Sequence, residues 1–330
     1  MPGFPRLRDR YDVVIVGGGH AGLQAAVKAG LFHHSAAVID RGPKYSRSYY
    51  APRMDNIPGF PQGISGHALL DLQIAAVRRF EEQVGYFTPA IAAEARRTED
   101  GFEVTFDWLK QRQVARGRAL VLALGVIDRI PEVGGEIRTI FPWANLGIVN
   151  FCLFCDGHEF TGRSVAVIGH DDYAVRSALD IRHWQPGSVT LLTQGRPLLD
   201  GTAEPDRTAL ARALEESGVP VLSSPIAALD GLREKRLVVR LADGSTHSFD
   251  KGFSALGWWE MNAAIPRSLG CAFDPDGYVL TDEDCRALGP SGEAIPGLYA
   301  IGDLRNGWNQ IPEAWATAER AVIHAYAAYL

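Results

Sequence analysis

Cysteine is scarce in this chain. Four in 330 residues cannot make the disulfide framework that staples small secreted domains. A basic excess is missing too: 33 Lys and Arg against 39 Asp and Glu leave a net charge of -6, the reverse of a nucleic-acid-binding footprint. No apolar run is long enough to span a bilayer. The uncharged stretch from Thr139 to Cys155 is broken by Pro142, Asn145 and Asn150, and it falls short of the roughly 20 apolar residues a spanning helix needs. The first residues, MPGFPRLRDRYD, lack the apolar core of a signal peptide, so a cytoplasmic protein without membrane attachment is expected. Low-complexity tracts are absent as well, and so are repeats with a period of about 20 to 50 residues. What the chain does have is 46 % hydrophobic residues, ample for a packed core and incompatible with disorder. It also has 35 glycines without a collagen period, so their placement becomes the question. The length suits about two domains.

Tyr11 to Val16 (YDVVIV) is a β-branched run that ends directly in glycines. A helix-forming stretch follows from Ala21 to Leu31, then a second strand-like run from Ser35 to Asp40 (SAAVID). Strand, glycine turn, helix and strand make one βαβ unit. The pattern returns at Ser164 to Ile168, Gly169, Tyr173 to Trp184 and Ser188 to Thr193. Strand-like segments lie at Phe102 to Phe106 and Ala119 to Leu124. Arg236 to Leu241 and Thr246 to Ser248 flank a hairpin turn, Gly297 to Asp303 reads as a buried strand, and a last helix spans Glu313 to Tyr329. The expected class is α/β with two Rossmann-like three-layer domains.

Gly17-Gly18-Gly19-His20-Ala21-Gly22 fits G-x-G-x-x-G between a strand and a helix. Gly17 permits the tight turn, Gly19 the close approach of backbone to a pyrophosphate, and Gly22 the contact of helix with strand. The positive end of the helix then faces the phosphates. Asp40, at the end of the next strand, is placed to accept from ribose hydroxyls. This motif alone does not separate FAD from NAD. Two other segments point to FAD. Ala300-Ile301-Gly302-Asp303 resembles the second flavin fingerprint of flavoproteins with two dinucleotide domains, where the aspartate holds the ribityl chain. Leu122-Ala123-Leu124-Gly125 resembles the A-T-G turn of that superfamily. The flavin domain would then be built from both ends of the chain, residues 1–126 and 254–330, with residues 127–253 inserted.

Cys152-Leu153-Phe154-Cys155 precedes Asp156 and Gly157. Such a pair is half a zinc site, a redox dithiol or two small core residues. Zinc needs a second ligand pair, and neither Cys271 with Cys285 nor His158 alone supplies one, so no metal is expected. A redox role suits a chain with a flavin site, because Asp156 can shuttle the proton that thiol–disulfide exchange needs. Cys152 is assigned to interchange with a partner and Cys155 to the flavin side. Cys271 and Cys285 are left as structural.

These residues together resemble the low-molecular-weight thioredoxin reductases. The resemblance runs over nearly the whole chain and includes Asn56-Ile57-Pro58-Gly59-Phe60-Pro61 and Gly63-Ile64-Ser65-Gly66, a specific combination. It implies a flavin domain, an inserted dithiol domain, a homodimer, and a rotation that offers the dithiol alternately to flavin and partner. It also implies a flavin contact at the start of the last helix, where the family's R-Q-A is replaced by Asn309-Gln310-Ile311, so Gln310 and Ile311 join the expected cofactor residues.

The second nucleotide motif departs from the family. Members that use NADPH carry G-x-G-x-x-A, whereas this chain reads Gly169-His170-Asp171-Asp172-Tyr173-Ala174. Asp171 obstructs the phosphate approach and adds negative charge there. The basic H-R-R cluster for a 2′-phosphate is replaced by Thr193-Gln194-Gly195-Arg196. NADPH use is therefore doubtful. The expected activity is FAD-dependent thiol–disulfide exchange with a thioredoxin-like protein or a small dithiol, with ferredoxin, oxygen or another flavin as redox partner. The vacated pocket is open to a second FAD or another nucleotide, with Tyr173, Trp258 and Trp259 available to stack on it. The alternatives are an NADPH-dependent thioredoxin reductase with a divergent motif, and a non-catalytic flavin-binding redox sensor.

Overall fold

A computed structural model describes residues 5–329, with the side chains of 258–261 and 329 outside the description. Contacts divide the chain into two compact units. Met1–Tyr49, Ser65–Ile127 and Glu260–Leu330 form the first, and Tyr50–Ile64 with Asp128–Trp259 form the second. The residues 50–64, drawn with the first domain from sequence, thus sort with the inserted one.

The first unit is organised by the alternation of its strands. Tyr11–Val16 lies between Ala36–Ile39 and Gln111–Leu122, parallel to both. Val84–Phe87 extends the sheet on one side and Ala294–Ala300 on the other, again in parallel. Side chains point to opposite faces in turn. Val13 and Ile15 enter one core layer with Ala119, Val121 and Tyr299. The helices His20–Leu31, Gly66–Arg78 and Ile311–Tyr329 cover that layer. Val14 and Val16 enter the opposite layer with Leu120, Leu122 and Phe106. The antiparallel strands Ala90–Thr98, Gly101–Trp108 and Gln111–Leu122 help to wall that side. Helices, sheet and meander make three layers.

The second unit repeats this plan. Val221–Leu222, Ser188–Leu192, Ser164–Ile168, Lys251–Ser254 and Val149–Asn150 form a five-stranded sheet in that order, all parallel. One face packs on the helices Asp172–Asp180 and Asp206–Ser217 through Val165, Val167 and Leu191. The other packs on an antiparallel sheet of Ile226–Asp230, Leu237–Leu241 and Thr246–Phe249. The α/β class with two Rossmann-like three-layer domains is therefore what forms. Among the described residues no helix is long and apolar enough to cross a membrane. Among the described residues twenty-one glycines have positive φ, which accounts for much of the glycine excess through turns that side chains resist.

Phe253 is fully buried in the second unit, with its ring 6.3 Å from that of Phe160. Phe253→Ala is expected to cost about 3–5 kcal/mol, read as an earlier unfolding transition in urea. A loss under about 1 kcal/mol would contradict this packing.

Candidate active site

Each of the three motif glycines in the first unit has its own requirement. A Cβ on Gly17, which has φ +104°, would lie 2.2 Å from the Ala123 carbonyl oxygen. A Cβ on Gly22 would lie 1.9 Å from the Gly17 oxygen. Neither can be accommodated. A Cβ on Gly19 would meet only the Ser46 hydroxyl, at 3.8 Å, so this glycine keeps an open space rather than a packed one. That is the pattern a bound pyrophosphate asks for. Asp40 is buried, and its carboxylate accepts from the Gly18 N–H at 3.0 Å and from the Tyr86 hydroxyl at 2.8 Å. Burial and the Asp40 charge both push the Tyr86 hydroxyl far above its usual range, so it stays a donor. Asp40 therefore props the turn, with lone pairs left over for a ribose.

Of the remaining expected cofactor residues, Gly302 lies against the same turn. Gly125 has φ +61°, and Asn262 donates to the carbonyls of Leu124 at 2.7 Å and Gly125 at 3.3 Å. A Cβ on Gly302 would lie 2.9 Å from the Ala21 Cβ, which brings the Gly302–Leu304 turn against the glycine motif. Asp303 pairs with Arg47 at 3.5 Å. Gln310 precedes the helix Ile311–Tyr329, and its carbonyl accepts from Ala314. Asn309, which sequence reasoning noted only as a replacement, donates to the Tyr278 hydroxyl at 3.0 Å while its own carboxamide oxygen is buried without a partner. Burial holds the Tyr278 hydroxyl up at about 12. An orphaned acceptor, an open space at Gly19 and a helix N-terminus all fit a flavin dinucleotide.

In the second unit Cys152 and Cys155 form a disulfide, with Cα atoms 5.3 Å apart. The pair frames the short helix Leu153–Asp156, and the Cys155 N–H points at the Cys152 sulfur at 3.2 Å. Gly157 follows because Trp184 packs there: a Cβ would lie 2.6 Å from its ring. The Asp156 carboxyl is pushed up to about 6, chiefly by burial and further by Glu159, against an Asn150 hydrogen bond and the His158 and Lys251 charges. Cys271 and Cys285 are free thiols buried in the first unit, and burial raises both, Cys271 to about 12. Asp55, His158 and Glu159 come close enough together to hold an ion. Their charge is already met by Arg53, at 2.9 Å from Asp55 and 3.2 Å from Glu159, and by Lys251 on Glu159. The cluster reads as an ion-pair network.

The second glycine turn is closed over. Gly169 keeps its packing role, since a Cβ would lie 2.4 Å from the Ala255 oxygen. Asp171 caps the helix Asp172–Asp180 by accepting from the Ala174 N–H at 3.0 Å. Leu199, held at φ +58°, donates its N–H to the His170 carbonyl at 2.6 Å and buries its side chain with Ala174 and Val175. Arg176 is taken by Asp172 and Asp206, and Arg196 by Asp200. Tyr173 is exposed on the helix, and the Trp258 and Trp259 side chains lie outside the described residues.

Two outcomes follow from this geometry. Gly22→Val should yield protein without flavin absorbance, because the added carbons overlap the Gly17 carbonyl; normal flavin content would refute it. A carboxyl raised from 3.8 to about 6 favours the folded state at low pH, and that share is lost as pH climbs through the folded value. Wild type should therefore lose about 3 kcal/mol relative to Asp156→Asn between about pH 4 and pH 7, by urea unfolding. A flat difference would count against it.

Comparison with known proteins agrees with the fold. Over 301 residues the chain is 27 % identical to a thioredoxin reductase of Listeria innocua, covering 89 % of this chain and 86 % of that one. It is 25 % identical to a bifunctional thioredoxin reductase/thioredoxin of Mycobacterium leprae over 89 % of this chain and 60 % of the other. The crystal structure of thioredoxin reductase from Streptococcus pyogenes superposes with a TM-score of 0.78 at 24 % identity, covering 96 % and 97 % of the two chains, which supports the fold. The family described as pyridine nucleotide-disulphide oxidoreductase matches residues 11–320. The chain belongs to that family, as a thioredoxin reductase-like flavoprotein and disulfide oxidoreductase.

Proposed function

We propose that this protein exchanges electrons between FAD and the Cys152–Cys155 pair without drawing them from NADPH, as a homodimer of the kind the resemblance implies. The observation that carries the NADPH part is the closed second turn. A pyrophosphate there would have to displace the Leu199 N–H from His170 and lie against Asp171. Its charge would find Arg176 and Arg196 already paired. The same features stand against a second flavin or another nucleotide phosphate in that crevice.

The chemistry of the pair needs only thiols, a proton carrier and a two-electron partner. A thiolate of a partner dithiol attacks Cys152, forming a mixed disulfide and releasing Cys155. The partner's second thiolate then attacks the partner sulfur of that mixed disulfide and frees Cys152. Two electrons and two protons have moved to the pair. Asp156, poised near 6, can take a proton or give one at working pH, and the reverse direction uses the same groups. FAD, when bound, supplies the two-electron acceptor or donor. Beyond it we place ferredoxin, oxygen or another flavin, and as partner a thioredoxin-like protein or a small dithiol. A relative whose name joins reductase and thioredoxin favours the former.

The competing reading is an NADPH-dependent reductase, favoured by the family's description. Anaerobic stopped-flow mixing with NADPH or NADH separates the two. Slow or absent bleaching of the flavin is expected, whereas rapid bleaching at micromolar NADPH would overturn the proposal. Cys152→Ser and Cys155→Ser should each abolish thiol–disulfide turnover; full retention in either variant would overturn the role given to the pair, and wild type without turnover on any thiol partner would point to a non-catalytic redox sensor.

A further inference from the structure

The glycine motif of the first unit carries a buried histidine for which backbone geometry has no use. G-x-G-x-x-G constrains three glycines and leaves His20 unspecified, yet His20 is only 7 % exposed at the start of its helix. A buried imidazole is costly unless both nitrogens are paired. Here they are. Nδ1 lies 2.5 Å from the Gln73 side-chain oxygen and Nε2 lies 2.6 Å from the Ser48 hydroxyl.

The hydrogens in this chain can be assigned. The Gln73 NH2 donates to the His20 carbonyl at 3.3 Å, which turns the Gln73 oxygen toward the ring. That oxygen only accepts, so Nδ1 carries the proton. Burial pulls the His20 pKa down against the Gln73 hydrogen bond, and the helix N-terminus disfavours a positive charge as well, so both favour the neutral ring. Nε2 is then a lone pair, and Ser48 must donate its single hydroxyl proton to it. What Ser48 has left to offer is acceptor capacity alone.

The position of Ser48 gives this polarity a purpose. Its neighbour Ser46, 3.4 Å away, has its hydroxyl 3.8 Å from where a Gly19 Cβ would lie, at the space where phosphate is expected. Its other neighbour, Arg47, reaches Asp303, the expected ribityl residue. The segment 46–48 thus runs from the phosphate turn to the polyol end of the site. A phosphate oxygen brings no proton and would repel an acceptor, whereas a polyol hydroxyl donates. We propose that His20 is a positioning residue that fixes Ser48 as an acceptor, so that Ser48 recognises a hydroxyl of the flavin's polyol chain. The inference rests on the flavin reading of the first unit.

The test uses apoprotein titrated with FAD and with an FAD analogue whose ribityl hydroxyls are replaced by hydrogens, followed by flavin fluorescence. Wild type should bind the analogue more weakly than FAD, and Ser48→Ala should shrink that penalty by about threefold to tenfold. His20→Leu should shrink it similarly and add nothing in the Ser48→Ala background. His20→Gln, whose carboxamide oxygen can accept the same proton, should restore it. Melting of each apoprotein separates these effects from a loss of fold, and Ser48→Ala carries the test by itself if His20→Leu does not fold. An equal analogue penalty in wild type and Ser48→Ala overturns the inference alone, as does a His20→Leu effect that adds in full to Ser48→Ala. Apoprotein that takes up no FAD overturns the flavin reading and the inference with it.

Discussion

The contact on which the first unit hangs is backbone against backbone. The Gly17 carbonyl lies where Gly22 would place a side chain, and the Ala123 carbonyl lies where Gly17 would place one. Strand Tyr11–Val16, helix His20–Leu31 and the end of strand Gln111–Leu122 therefore meet at van der Waals distance, with no side chain between them. This closeness aims the first amides of the helix at the crevice beyond the strand ends, where the strand order diverges on either side of Tyr11–Val16. Other groups are then hung from the turn. Asp40 holds Gly18, Ala21 meets Gly302, and Thr317 accepts from the Gly302 N–H at 3.1 Å.

The two halves of that constraint separate in the second unit. Gly17 and Gly22 are demanded by protein atoms, Gly19 only by a ligand, because its missing Cβ would meet nothing closer than 3.8 Å. At the second turn the glycine demanded by protein atoms, Gly169, is retained, against the Ala255 oxygen and the Ala174 Cβ. The glycine a ligand would demand has become Asp171. Its carboxylate caps the helix and satisfies the Ala174 N–H that a phosphate could otherwise take. With Asp171 at this position the five-stranded parallel sheet is still complete. Leu199 in the left-handed region is a local cost of about 1–2 kcal/mol, offset by burying its side chain.

How much of this was legible depends on whether a feature is local. YDVVIV-GGGHAG and SVAVI-GHDDYA could be read because strand, turn and helix follow one another within a few residues. The meander was only partly readable. Ala90–Thr98 and Gln111–Leu122 carry arginines and a glutamate on exposed positions, which weakens the apolar pattern that marks a strand. The helix Asp206–Ser217 buries only Leu210 and Leu214, too little to stand out. That residues 50–64 sort with the second unit follows from contacts far apart in sequence. A single leucine closing the second turn leaves no periodic signal. His20 sat inside a recognised motif, but its role depends on Ser48 and Gln73, 28 and 53 positions away. Asn262 and Tyr278, which brace the Gly125 turn and Asn309, were likewise beyond reach of pattern.

The four cysteines illustrate why spacing can nominate a residue but only environment can give it a chemistry. Cys271 and Cys285 are buried with apolar neighbours, and burial raises both thiols, so the nucleophilic thiolate is disfavoured at each. Cys152 and Cys155 are partly exposed, joined to each other, and arranged so that a backbone N–H faces the Cys152 sulfur. The adjoining Asp156 carboxyl is shifted toward holding its proton, chiefly by burial. One site thus places a partly exposed disulfide beside a carboxyl whose surroundings favour keeping a proton. Thiol–disulfide exchange needs a sulfur that a partner can reach, and Cys271 and Cys285 are both buried.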